Sequence, residues 1–373
     1  MELSSEDSLR LNVLLANQPL AVRIDESSMT LYGLSAQGDA KIQLNPNCRD
    51  DLYLRAVREM LSGHVLGSPG GYPVYLQRWT RMGQSRDESL EQLLLLGEPE
   101  AVVAVTCASG LTDELARRAW WTLQDPENAR RMLHHPNVVE GRMGPELAHF
   151  LIEYLPFETE PEKMIESLRL ALQPGLIDQE TRQKLWGRCQ RKPTYYLGFL
   201  ASTPDDLPEE TPGRPFSPAN HQALERLCGA GNAYAELLWR VHAPAGQTFL
   251  EVARRVMEKP ANQDVVVSLL EVIRDYFARL RPTGDPDLTL EQLLAEARGG
   301  GDEALDACAA VTQGLERELQ AIRLFSGLGY GVVRPVFRKT DAIGSLMRRK
   351  LQPIMGPLLE QLARLLGESE AGG

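Results

Sequence analysis

A chain of 373 residues with 43% apolar and 24% charged positions is long enough for two domains and too apolar to be disordered throughout. Its formal charge of −11 argues against duplex nucleic acid as the main ligand, because neutralising phosphates takes a concentrated basic surface. Aromatics reach only 6% while Leu, Ala, Glu and Arg recur, a palette that favours helices since unbranched side chains lose little rotamer freedom there.

The first residues, Met1-Glu-Leu-Ser-Ser-Glu-Asp7, lack the basic and apolar regions of a secretory signal. No apolar run reaches the roughly 18 residues that a bilayer span requires. Cys48, Cys107, Cys189, Cys228 and Cys308 are odd in number and far apart, which fits reduced thiols rather than a disulfide framework. The expected compartment is the cytoplasm.

Ser5 to Ala16 predicts a short helix. Between Pro19 and Pro46 the apolar period falls to two, through Leu20 to Ile24, Met29 to Leu34 and Lys41 to Leu44, with turn-forming Asp25-Glu-Ser-Ser and Ala36-Gln-Gly-Asp between them. That predicts a three-stranded antiparallel meander. Such a sheet needs a helix across one face, and Arg49 to Leu61 supplies one with Leu52, Val57, Met60 and Leu61 on one side. A Gly- and Pro-dense loop from Gly63 to Pro73 follows, then Val74 to Trp79 as a further short strand. These pieces make a small α+β domain over residues 1–87.

From 88 to 202 the predicted helices are short: Glu88–Leu96, Pro99–Cys107, Thr112–Leu123, Pro126–His134, Gly144–Leu155, Pro161–Leu172, Asp178–Arg188 and Pro193–Leu200. Thr112 and Asp125 suit N-caps, and Pro99 and Pro126 suit a first turn. Stacked helical hairpins are expected, without a fixed period. Residues 203–218 hold five prolines and four acids and predict an extended linker and domain boundary. Beyond it, Ala219–Val241, Thr248–Glu258, Asn262–Leu280, Leu288–Arg298, Asp302–Phe325 and Thr340–Leu366 predict an all-helical bundle over 219–373. The fold class is therefore mainly α with a small N-terminal α+β element.

Motifs with catalytic meaning are scarce. The Gly63–Gly71 loop lacks the Gly-Lys-Ser/Thr of a phosphate loop, and Gly327-Leu-Gly-Tyr-Gly331 lacks the strand and spacing of a dinucleotide fingerprint. Glu146-x-x-His149 has half of a di-iron ligand set, with no second Glu-x-x-His to complete it. There is no Cys-x-x-Cys and no Gly-x-Ser-x-Gly. No cofactor or metal is expected. Three candidates remain. Cys48 stands at a helix start beside Arg49, and both features lower a thiol pKa. Arg78, Trp79, Arg81 and Arg86 cluster as an anion or acidic-partner contact, guanidinium being a bidentate donor. Residues 334–350 are basic, with Arg334, Arg338, Lys339, Arg348, Arg349 and Lys350, and lead into an apolar stripe. An apolar stripe at helical spacing is usually core.

Several long phrases resemble the DsrS family of proteins encoded with dissimilatory sulfite reductase in sulfur-oxidising bacteria. They include Asp7-Ser-Leu-Arg-Leu-Asn-Val-Leu-Leu-Ala-Asn17, Leu44-Asn-Pro-Asn-Cys-Arg-Asp-Asp51, Ser62-Gly-His-Val-Leu-Gly-Ser-Pro-Gly-Gly-Tyr-Pro-Val-Tyr75 and Arg78-Trp-Thr-Arg-Met-Gly83. Arg86-Asp-Glu-Ser-Leu-Glu-Gln-Leu-Leu-Leu-Leu-Gly-Glu-Pro-Glu100 and Leu111-Thr-Asp-Glu-Leu-Ala-Arg-Arg-Ala-Trp-Trp121 continue the likeness, which is dense to about residue 175. The resemblance implies a soluble cytoplasmic accessory or regulatory factor of sulfur oxidation, with no reaction and no catalytic residue to carry over. The expectation is thus a non-catalytic protein acting by contact with proteins of that pathway. Two alternatives stay open: a sulfur carrier or thiol enzyme using Cys48, and an RNA- or anion-binding regulator using Arg78–Arg86 or the 334–350 stretch.

Overall fold

Alternating and helical periods separate along the chain much as the residues require. The computed structural model describes residues 3–67, 90–280, 287–299, 301–339 and 342–368. It is mostly helical, with one three-stranded antiparallel sheet near the N-terminus among the described residues. The chain divides into two units, Met1–Tyr154 and Leu155–Gly373.

The first unit opens with α1 (Ser5–Ala16), capped by the Ser4 hydroxyl, which accepts from the Asp7 amide. Strands β1 (Ala21–Asp25), β2 (Thr30–Ser35) and β3 (Gly38–Gln43) follow in the order β1-β2-β3. The β1–β2 turn is held by Asp25, whose carboxylate accepts from the hydroxyls and amides of Ser27 and Ser28. Those bonds pull its pKa down to about 2. Helix α2 (Asp50–Leu66) comes next, then α3 (Leu90–Leu93), α4 (Pro99–Thr106), α5 (Asp113–Thr122), α6 (Pro126–Met132), α7 (Pro136–Val139) and α8 (Met143–Tyr154).

One face of the sheet packs on both α1 and α2: Leu11, Leu14 and Leu15 meet Val22, Leu31 and Ile42, and Val57 and Leu61 close the cluster. Gly33 has no Cβ because one would sit 2.6 Å from a Leu14 methyl. The buried face of α2 differs from the one its sequence suggests. Tyr53, Leu54, Val57 and Leu61 point inward, while Leu52 is 39% exposed. Tyr53 turns the helix, since its hydroxyl donates to the buried carboxylate of Asp7, which also accepts from the Asn45 amide at 2.8 Å. The segment expected as a fourth strand, Val74 to Trp79, lies outside the described residues.

The second unit is all helical among its described residues: α9 (Pro161–Ala171), α10 (Gln179–Cys189), α11 (Thr194–Ser202), α12 (Pro218–Gly229), α13 (Ala233–His242), α14 (Pro244–Glu258) and α15 (Gln263–Tyr276), then α16 (Leu290–Arg298), α17 (Glu303–Val311), α18 (Glu316–Ser326), α19 (Tyr330–Phe337) and α20 (Gly344–Leu365). Two helices expected to be long are each split. Ala219–Val241 breaks at Gly231, which takes φ +77°, after which Asn232 caps α13. Asp302–Phe325 breaks at Gly314, φ +73°. Only glycine reaches that left-handed region without a steric cost.

The proline-rich stretch 203–217 holds no helix or strand, opens with a turn in which the Asp206 amide donates to the Thr203 carbonyl, and stands within the second unit rather than between units. Its acids do not repel each other into solvent because each of three meets an arginine. Asp205 takes Arg240 bidentately at 2.8 and 2.6 Å, Asp206 takes Arg182 at 2.9 Å, and Glu209 takes Arg255. Thr211 donates its amide to Thr248 Oγ1, and the Arg214 amide donates to the His242 carbonyl. Arg214 then reaches the Leu365 carbonyl at 2.7 Å and Glu318 at 3.0 Å. Glu318 also faces His242 Nε2 at 2.7 Å, and Phe216 stacks on that ring. The stretch is a strap, sewn to five helices by side chains. No helix among the described residues is long and apolar enough to cross a membrane.

Candidate functional site

The residues singled out from sequence are scattered rather than gathered. Cys48 precedes α2 and is half-buried against the first unit's core, with its Sγ 3.6 Å from the Arg49 carbonyl. The Arg49 guanidinium turns away to Asp51, at 3.1 and 2.8 Å. Arg78, Trp79, Arg81 and Arg86 lie outside the described residues. In the 334–350 stretch, Arg334 pairs with Asp287 at 3.0 Å and Arg348 donates to the Pro260 carbonyl. Most of the apolar stripe is core: Met347, Leu351, Ile354, Leu358, Leu362 and Leu365 are buried, and α20 packs on α14 and α18, while Ile343 and Leu346 at its start are exposed.

Glu146, His149 and Glu153 sit on the exposed face of α8. Among the described residues no group of three or more His, Cys, Asp or Glu is arranged to hold a metal ion. Gly327 ends α18 and Gly329 begins α19, so the glycine-rich run there is a turn between helices. Burial pushes the Cys189 thiol up to about 12 and the Cys308 thiol up to about 11, which keeps both protonated at neutral pH.

What the fold does assemble is a groove that no motif announces. Helix α1 buries Leu11, Leu14 and Leu15 against the sheet and leaves Leu9 65% and Val13 54% exposed, one turn apart on its outer side. Beside them runs β3, the last strand of the sheet. Between helix and strand lies a cleft of about 580 Å³, lined by Leu9, Val13 and Asn17 on one side and by Ala40, Lys41 and Gln43 on the other. Residues 38–41 and Gln43 of β3 are exposed; only Ile42 is buried.

The hydrogen-bonding state of β3 follows from its register. Leu44 donates to the Met29 carbonyl, and residue pairs in an antiparallel ladder alternate between bonded and non-bonded. Ile42 and Ala40, opposite Leu31 and Gly33, therefore bond inward to β2. Asp39, Lys41 and Gln43 turn their N–H and C=O groups to the outer edge. There the Gln43 carbonyl accepts from Arg10 at 3.4 Å. The opposite edge of the sheet is covered, since the Val22 amide of β1 donates to the Leu94 carbonyl at 2.8 Å. Among the described residues no strand pairs with the β3 edge, where Arg10 alone meets the backbone, and an exposed apolar pair stands over it.

The two faces flanking that edge differ in chemistry. On the α1 side, a strand beside β3 would meet Leu9 and Val13. On the other side, Lys41 leans over Tyr32, its Nζ 5.9 Å from the ring centroid, and Arg23 covers the same ring at 4.8 Å. Asp39 accepts from the Trp121 indole at 3.2 Å, and Arg10 pairs with Glu6. Comparisons with protein-family models, with curated proteins and with solved structures found no match to the chain.

Proposed function

We propose that this protein is a non-catalytic accessory or regulatory factor of cytoplasmic sulfur oxidation, linked to dissimilatory sulfite reductase and acting by protein–protein contact. The support for the pathway is the resemblance of several long sequence phrases to the DsrS family. The observation that carries the mode of action is the open β3 edge beneath Leu9 and Val13. An unpaired strand edge is a template for another chain, and folded proteins normally blunt or cover it unless it is used. Exposed apolar side chains set beside such an edge add area that a docked segment would remove from water.

The test uses purified components. Sulfite reductase and the cytoplasmic sulfur-carrier proteins of a sulfur-oxidising bacterium are immobilised in turn, and the full chain is flowed over them at moderate salt. Saturable binding to one of them is expected, weakened at least about tenfold by the double substitution Leu9→Asp, Val13→Asp, which removes two apolar anchors. Both positions are exposed, so the variant folds. Absence of binding to every component at low salt would overturn the assignment to this pathway.

A further inference from the structure

We infer that the groove receives an extended segment of a partner protein as a fourth strand, and that this segment alternates apolar with acidic residues. The inference rests on the contact-protein reading above and names the chemistry of the occupant. Its first support is geometric. Asp39, Lys41 and Gln43 direct backbone donors and acceptors outward from a six-residue strand, enough to register a segment about 20 Å long. Strand addition of this kind draws affinity from main-chain bonds and specificity from the side chains on alternate faces.

The second support is the contrast between those faces. Every other side chain of an added strand falls under α1, against Leu9 and Val13, where apolar groups are favoured. The intervening side chains fall on the face of Lys41. Its ammonium has no carboxylate partner among the described residues and stands 5.9 Å from the Tyr32 ring centroid. Directly opposite positions on adjacent strands lie close enough for charges to be felt, and opposite charges there are favourable. Asp39 accepts from the Trp121 indole and Arg10 pairs with Glu6. Arg23 lies on β1, two strands away, so among the described residues Lys41 is the cation of β3 that an added strand would meet.

The same lysine argues against a second copy as occupant. Lys41 is the middle outward-facing residue of β3, so two-fold antiparallel pairing centred there would set it against its own image. Like charges in that position are destabilising, and an edge lysine is a recurrent guard against self-association.

The experiment uses the full chain and three pools of fluorescent nine-residue peptides. In the first, Val, Ile or Leu alternates with Asp or Glu; in the second, the same apolar residues alternate with Lys or Arg. The third is the acidic pool with a central proline, which removes a ladder donor. Anisotropy should rise saturably with the acidic pool, at least about tenfold tighter than with the basic one. The proline pool should lose binding, as should the Leu9→Asp, Val13→Asp variant. Lys41→Glu should reverse the preference between acidic and basic pools. Equal binding of all pools, or none, overturns the inference, and so does dimerisation through β3 that Lys41→Glu abolishes. If sulfur-oxidation proteins bind wild type and the Leu9→Asp, Val13→Asp variant alike, this inference falls while the pathway assignment stands. If the acidic pool binds and those proteins do not, the reverse holds.

Discussion

Asp7 shows how much of the first unit hangs on one side chain. It lies on α1, fully buried, and ties three segments together: its own helix start, the Asn45 amide after β3, and Tyr53 on α2. Burial alone would raise its pKa. The hydrogen bonds from Tyr53, from the Asn45 amide and side chain and from Ser4 outweigh that and hold it below the ordinary 3.8. A group lowered in the folded state stabilises above its unfolded pKa, and that contribution is lost as pH falls through the folded value. Asp7→Asn should therefore lower the urea midpoint at pH 7 by the equivalent of about 1–3 kcal/mol, because the amide NH₂ faces donors that need an acceptor. The deficit should shrink as pH falls below the ordinary carboxylate value of 3.8. Equal midpoints at pH 7 would show that the three-way tie contributes nothing. Nothing in the sequence marks Asp7 as buried; it reads as an ordinary first-turn acid, and the partners that bury it lie 38 and 46 residues away.

At the level of elements, the strands and most helices were legible because their periods are local. The β2–β3 register and the caps at Thr112 and Asp125 follow from short-range chemistry. What local pattern could not settle was which face of a helix is buried. In α1 apolar residues stand at Leu9, Leu11, Val13, Leu14 and Leu15, all around the axis, so only packing decides that Leu9 and Val13 face outward. The groove was hidden for that reason. The split helices were missed because Gly231 and Gly314 each sit in an otherwise continuous helical run. A third glycine has a different role. Gly246 lies in the first turn of α14, where an added Cβ would stand 2.1 Å from the Arg240 carbonyl oxygen and 2.8 Å from the Val241 Cα. Both obstacles are backbone and neither can swing aside. Gly246→Ala should cost about 1–3 kcal/mol in chemical denaturation, as overpacking does. Gly187 supplies the contrast: it lies within α10 with open space where a Cβ would go. Gly187→Ala should stabilise by about 0.5–1 kcal/mol. Similar effects at the two sites would refute the crossing of α13 and α14 as the constraint.

The whole chain carries an excess of acid, and its fold spends that acid on pairing. In the first unit Glu114 is drawn down to about 2, chiefly by the hydrogen bond from Arg117 with Arg118 adding to it. In the second, Glu209 is lowered chiefly by the hydrogen bond from Arg255. Asp302 is lowered against the opposing pull of its burial by bonds from Tyr234 and from the Leu305 and Ala304 amides. A carboxylate lowered in this way binds fewer protons folded than unfolded, so stability rises with pH wherever the unfolded chain is still protonated. The window is set by ordinary carboxylate values of 3.8 and 4.5 at its upper end and about 2 at its lower end. Urea midpoints should therefore change little between pH 7 and pH 5 and fall steeply from pH 4 to pH 3. Because lowered carboxylates occur in both units, the fall should be seen alike by Trp120 and Trp121 in the first and by Trp186 and Trp239 in the second, each read in single-tryptophan variants. In the second unit the loss has a structural meaning, since Glu209 is one of the acids that pin the 203–217 strap. An Arg255→Gln variant should flatten the acid limb reported by Trp239 and leave that of Trp120 unchanged. An acid limb unaltered by Arg255→Gln would mean that the strap is held by its backbone bonds and Arg214 alone, with the arginine–acid pairs as solvated ornaments of an acidic surface.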